Sequence, residues 1–289
     1  MKRRVPSCHL RTLVFISLIG CGGADGFSTE AGSVEAATSA LLNHNALNPN
    51  ALNPNALNPN ALDPNALDPS ALALNRLQET SVGARILSSI RAPGELGALS
   101  RELLRYIVSC ALSPSQSFRF SWHDEQGERH EESYPGHLGL AASWSHEPLS
   151  ASREQWVSAC VASRANLAGI SVLISSRAAH AALRYPDRYE VEAYPREEGA
   201  FWGNLFSNPP RLYACYNEHN IESSRAIGRE CAAGHVGEDD DRATECPNIH
   251  IVGSCDHQCA ELDDPGEYRT RCRNDRGEWS TAVVTTYLR

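Results

Sequence analysis

The sequence predicts an α+β fold in which N-terminal helices are followed by a mostly antiparallel, disulfide-rich β part. Three observations carry that prediction. Apolar residues recur at three- and four-residue steps between residues 76 and 112 and again around 156–167, the period of a helix with one buried face. Beyond residue 170 the period shortens toward two and β-branched residues accumulate, as strands require. Six cysteines fall between Cys215 and Cys272, so that end is a small-core region held by covalent links.

The elements follow in order. Arg76–Ile90 (RLQETSVGARILSSI) and Glu95–Leu112 (ELGALSRELLRYIVSCAL) read as two amphipathic helices separated by the Ala92-Pro93-Gly94 break. The second carries Leu99, Leu103, Leu104, Ile107, Val108 and Ala111 on one face. Gln116–Trp122 alternates as a strand, and Asp124-Glu125-Gln126-Gly127 is the hairpin turn into a polar second strand. A third helix is expected from Ser152, as N-cap, to Leu167, with Glu154 in its first turn, Gly169 past its end, and Trp156, Val157, Cys160, Val161 and Leu167 inward. Cys110 and Cys160 then lie on two helical stripes and are expected to bridge them. Ile170–Ile174, Arg188–Tyr194, Arg211–Tyr216, His250–Val252 and Trp279–Leu288 are the expected strands.

Residues ahead of the helices do not read as globular. Lys2, Arg3 and Arg4 precede the apolar run Thr12–Gly20, far short of the ~20 residues that span a bilayer, so residues 1–20 are expected to be an export signal. The run ends in Leu18-Ile19-Gly20-Cys21. Here the chain resembles bacterial lipoproteins, a resemblance that implies cleavage before Cys21 and a lipid on its thiol. Gly22, where that family often places a retaining Asp, implies the outer membrane or cell surface. An ordinary secretory cut after Ala24 is the alternative, and it too exports the chain.

Ala46–Ser70 is a five-residue repeat of the form A-L-N/D-P-N/S, preceded by the degenerate copy Leu41–Asn45. Asn or Asp before Pro starts a turn, and Pro blocks the helix that Ala and Leu would favour. Residues 21–75 are therefore expected to be a lipidated N-terminus and turn-rich tether, and residues 76–289 a single disulfide-bonded domain.

Composition excludes several classes. The formal charge is −9, with no basic run beyond the first four residues, so no nucleic-acid partner is expected. Lys2 is the only lysine and Met1 the only methionine, so removal of the expected signal leaves neither, which excludes a phosphate-loop lysine, a Schiff base and methionine-ligated haem or copper. No cofactor is expected. With Cys8 and Cys21 set aside, eight cysteines remain: Cys110, Cys160, Cys215, Cys231, Cys246, Cys255, Cys259 and Cys272. An even set in an exported chain reads as disulfides. The Cys255-x-His257-x-Cys259 cluster and the Cys231-x3-His235 spacing raise zinc as an alternative, but paired knuckles are missing, and no metal is expected.

Motifs for chemistry are few. No G-x-S-x-G, H-E-x-x-H or G-x-G-x-x-G occurs. The segment from Trp122 to Glu147 is dense in His, acid and aromatic residues: Trp122, His123, Glu125, His130, Glu131, Glu132, Tyr134, His137, Trp144, His146 and Glu147. A glycosidase or amidase needs two carboxylates, or a His and a carboxylate, across a cleft. His137 and His146 with Glu131, Glu132 or Glu198 are the candidates, set against a solvated hairpin. Glu197–Phe206 pairs acids with aromatics and two glycines, which suits either a ligand-stacking loop or a core turn. Glu238–Asp241 with Asp263-Asp264 offers hard oxygens for Ca²⁺ but lacks the loop pattern.

Segments such as YIVSCAL, WVSACVASRANLAGI and EEGAFWGNLF together resemble exported bacterial lipoproteins, and no activity comes with that resemblance. The leading expectation is a cell-envelope lipoprotein, held to the membrane by its lipid, with a non-catalytic role in binding a ligand or envelope component. The alternative is an exported hydrolase acting on glycan or peptide through a His/carboxylate site.

Overall fold

A computed structural model of the chain describes residues 44–45, 90–145, 149–165, 172–207, 209–227, 229, 249–263, 265 and 267–289. The expected signal, nearly all of the repeat tether, all but the last residue of the helix at 76–90, His146, Glu147, Cys231, Cys246, Glu238–Asp241 and Asp264 lie outside the described residues. A two-residue strand β1 (His44–Asn45) pairs antiparallel with β4 (Val172–Leu173). No helix among the described residues is long and apolar enough to cross a membrane.

The fold is α+β. Helix α1 (Gly94–Ala111) starts after extended Pro93, whose missing N–H costs nothing at a helix entry. It buries Leu103, Leu104, Ile107, Val108 and Ala111, each large side chain contributing about 1.5–3 kcal/mol of transfer free energy. Strands β2 (Ser117–His123) and β3 (Arg129–Pro135) form an antiparallel ribbon whose Phe118, Phe120 and Tyr134 pack beneath that helix. Helix α2 (Ala151–Ser163) is capped by Ser150 rather than Ser152. The Ser150 hydroxyl accepts from Arg153 N at 3.4 Å, the third-position bond that defines an N-cap. The helix also ends at Ser163, short of Leu167. Every residue from Val157 to Ser163 is buried, because α2 lies between α1 and the sheet. Ser158 and Ser163 survive there by donating to Glu154 O and Cys160 O.

The main sheet has five strands: β5 (Ser175–Arg177), β6 (Arg196–Asn204), β7 (Arg211–Tyr216), β8 (Ile249–Ser254) and β11 (Val284–Leu288). Their order is β5-β11-β6-β7-β8. All neighbours are antiparallel except β7 and β8. Alternation sorts the side chains of β6 and β7 between two cores. Phe201, Leu212 and Ala214 face α1 and α2. Ala200, Trp202, Tyr213 and Cys215 face the other way, toward Cys255, Cys259, Cys272 and Val283. Gly199 is needed for close approach, since a Cβ there would run into Cys215 O.

Three further expectations are corrected. Arg188–Tyr194 is not a strand: α3 (Arg188–Ala193) forms because Asp187 accepts from Glu190 N at 2.7 Å, and this cap overrides the alternation of Tyr189 and Val191. Glu197–Asn204 is not an exposed loop: it lies in the middle strand β6, with Phe201 and Trp202 buried, and only Leu205 and Phe206 sit in a buried turn beyond it. The run Trp279–Leu288 is broken. Trp279–Ser280 is a separate strand, β10, paired with β9 (Cys272–Arg273), and only Val284–Leu288 enters the main sheet as β11.

Three disulfides hold the described residues. Cys110–Cys160 joins α1 to α2. Cys215–Cys255 joins β7 to the short helix α4 (Cys255–Gln258), and Cys259–Cys272 ties the end of that helix to β9. The last two touch, Cys215 Sγ lying 3.5 Å from Cys259 Sγ.

Candidate functional site

Strand register divides the candidate residues of the β2–β3 ribbon between two faces. Trp122 pairs with His130 and Phe120 with Glu132, on the face turned to α1; Ser121 pairs with Glu131, on the outer face. Glu131 and Glu132 therefore point apart and do not flank one cleft. Glu131 is exposed and pairs with Arg129 at 2.9 Å. Glu132 accepts from Trp122 Nε1 at 3.4 Å and lies 4.0 Å from Arg105. His137, just beyond β3, is half-buried, and its backbone N–H donates to Ser109 O and Leu112 O. Tyr134 and Trp144 are core residues; burial pushes the Tyr134 phenol up to about 12.

Glu198 sits elsewhere. Its carboxylate and the Arg229 guanidinium are both 0% exposed and meet through Nη2–Oε2 at 2.6 Å and Nε–Oε1 at 2.8 Å. Ser224 Oγ and Thr286 Oγ1 donate to the same carboxylate, and Arg229 Nη1 donates to Ser163 O and Ala165 O. The carboxylate is shielded from solvent. Its neighbour Glu197, on the opposite face of β6, is bound by Arg269, which also holds Asp256. Both acids of the Glu197-Glu198 pair are thus structural, each matched to an arginine distant in sequence.

Two ribbons are closed by the same kind of turn. In the first, Asp124 Oδ1 accepts from Gln126 N and Glu128 N, Gly127 N–H donates to Asp124 O, and Gly127 has φ +81°. In the second, Asn274 Oδ1 accepts from Arg276 N and Glu278 N, Gly277 N–H donates to Asn274 O, and Gly277 has φ +78°. Both sequences read Asp/Asn-x-x-Gly-Glu, with the side-chain oxygen closing the turn and glycine supplying the left-handed residue. Each ribbon also carries a tryptophan stacked on cations. Trp122 lies between the Arg101 guanidinium, 3.5 Å from its ring centroid, and the His130 ring at 4.5 Å. Trp279 lies beside Arg271 at 4.8 Å and Arg273 at 6.0 Å.

The two stacks differ in what remains available. Arg101 is buried and donates to Ile90 O and Ala92 O, so it fixes the start of α1. His130 Nε2 lies 2.9 Å from Asp124 Oδ2, and this bond holds the Asp124 carboxyl below its ordinary value. Donor atoms of Asp124, Glu128 and His130 lie within 4.8 Å of one another, a set of types able to hold a divalent ion, although Asp124 is already engaged in closing the turn. Cys215, Cys259 and Cys272 also cluster, but as disulfides. Trp279 is 51% exposed, and neither Arg271 nor Arg273 has a carboxylate partner among the described residues.

Reading Trp279 as the start of one long strand hides this second ribbon. The repeated Asp/Asn-x-x-Gly-Glu turn was the signal that could have revealed it. No family model matches the chain, and neither the curated proteins nor the solved structures contain a match to it.

Proposed function

We propose that this chain is an exported envelope lipoprotein, anchored through Cys21, whose disulfide-bonded domain binds a ligand or neighbouring component without transforming it. The observation that carries the reading is the set of buried disulfides, Cys110–Cys160, Cys215–Cys255 and Cys259–Cys272. Such bonds persist in oxidising compartments and are rare in the cytosol. The location of the acids supports binding over hydrolysis: Glu198 is sealed by Arg229, and Glu131 and Glu132 face opposite sides of their ribbon. The β9–β10 ribbon instead presents an exposed tryptophan beside two arginines.

Metabolic labelling with an alkyne-bearing fatty acid tests the anchor. The wild-type chain is expected to incorporate label and sediment with membranes, and Cys21→Ala to lose both. Label-free wild-type protein, recovered soluble with reduced thiols, overturns the reading.

A further inference from the structure

The geometry points to the β9–β10 ribbon as a binding site for an anionic saccharide, with Trp279 as the stacking platform and Arg271 and Arg273 as the anion contacts. This deepens the binding role proposed above and does not depend on the anchor.

The ribbon is a rigid mount. At its foot Cys272 is buried and joined to Cys259, and at its tip the Asn274 side chain closes the turn on Arg276 N and Glu278 N. Pleating places Cys272 on the inner face, so Arg271, Arg273 and the cross-strand partner of Arg273, Trp279, share the outer one. Sites on rigid elements hold their contacts without an ordering cost at the moment of binding.

Arginines outnumber acids along this ribbon. Four arginines fall within eight residues, Arg269, Arg271, Arg273 and Arg276, in a chain of net charge −9. Arg269 is neutralised by Glu197 and Asp256. Arg273 donates to neutral acceptors, Gln258 Oε1 at 3.3 Å and His257 O at 3.0 Å, and keeps its full charge. The ribbon's own two acids make contacts of their own, Asp275 lying 3.7 Å from His250 and Glu278 accepting from Asn274 Nδ2, and no ion pair joins either to Arg271 or Arg273 among the described residues. A guanidinium stacked on an indole keeps its N–H edge free for a carboxylate, sulfate or phosphate.

The combination selects the ligand class. A bare oxyanion needs no tryptophan and a neutral sugar needs no arginines. A sugar ring bearing an acidic group uses the C–H face on the indole and the anion on the guanidiniums. The acidic remainder of the surface repels polyanions generally, which confines their capture to this ribbon.

Calorimetric titration of the purified full chain with an α-linked galacturonate tetramer tests the site. Parallel titrations use the methyl-esterified neutral tetramer, inorganic phosphate and phosphatidylglycerol vesicles. Saturable binding of the acidic tetramer is expected, at least about tenfold tighter than any of the three controls and weakening as salt screens the contact. Trp279→Ala and the double variant Arg271→Gln/Arg273→Gln are each expected to weaken it at least about tenfold, with Trp279→Phe recovering part of the loss. Circular dichroism of the variants should match wild type, because all three side chains lie outside the core. No saturable binding of the acidic tetramer, equal binding of its ester, tighter binding of phosphate or of vesicles, or unchanged affinity in both variants overturns the proposal. Loss of binding with intact acylation at Cys21 fails the saccharide site alone, and failed acylation with retained binding fails the anchor alone.

Discussion

Substituting one member of the Glu198–Arg229 pair gives the sharpest test of how this domain is held together. Both side chains are fully buried, and Glu198 accepts four bonds, two from Arg229 and one each from Ser224 and Thr286. Glu198→Gln keeps the shape but leaves the Arg229 guanidinium without a counter-charge in the core. Breaking a buried pair in this way costs about 3–5 kcal/mol. For a domain of about 150–250 residues, at about 2–4 °C per kcal/mol, the melting temperature should drop by roughly 6–20 °C. Arg229→Met should cost a similar amount, since it strands the Glu198 carboxylate and also leaves Ser163 O and Ala165 O without their donor. The double variant Glu198→Gln/Arg229→Met should lose clearly less than the sum of the single losses, because it leaves no unpaired charge. It should not return to wild type, because the two carbonyls remain unsatisfied. Urea unfolding of the four proteins measures the coupling. Single losses below about 1 kcal/mol, or strict additivity, would refute the assignment of this pair as a mutually dependent core element.

Other expectations follow from the same structure. Replacing both Cys110 and Cys160 by Ala opens a link of sequence separation 50 and should cost about 4 kcal/mol in the chain-entropy account, measured by denaturant unfolding. Burial raises the Glu190 carboxyl above its ordinary 4.5, so the folded state holds that proton longer than the unfolded state does. Stability associated with Glu190 is complete below pH 4.5 and is lost as pH rises through the raised folded value. Glu190→Gln should flatten stability across that window, and an unchanged pH slope would contradict the assignment. His130→Ala should let the Asp124 carboxyl climb back toward 3.8, read by NMR titration. Gly199→Ala should prevent normal pairing of β6 with β7, because the new methyl meets Cys215 O, and soluble, oxidised protein at wild-type yield would argue against the register described.

Much of the helical half was legible in the sequence because its signals are local. The stripe from Leu103 to Ala111 needs only the helical period, and the same stripe placed Cys110 opposite Cys160. The β half was less legible because its determinants are distant. Glu197 and Glu198 mark a loop to any local reading, yet both belong to a buried strand, since Arg269 and Arg229 arrive from far along the chain to neutralise them. Arg188–Ala193 alternates like a strand, and only the Asp187 cap reveals a helix. On the ribbons, the turn at Asp124 was visible, but the faces of Glu131 and Glu132 follow from a register fixed by pairing. Trp279 was absorbed into a longer apolar run, which concealed its exposure beside Arg271.

The position of β11 has a consequence for how the chain acquires its shape. Thr285 pairs with Arg177 on one side and Ala200 on the other, so a segment late in the sequence is inserted between two earlier ones. Until it arrives, Ser175–Arg177 has no neighbour in that sheet and Arg196–Asn204 has one edge open. Such distant pairings make folding slow. The main sheet therefore closes only after Val284–Leu288 has been placed between two strands that precede it in the chain.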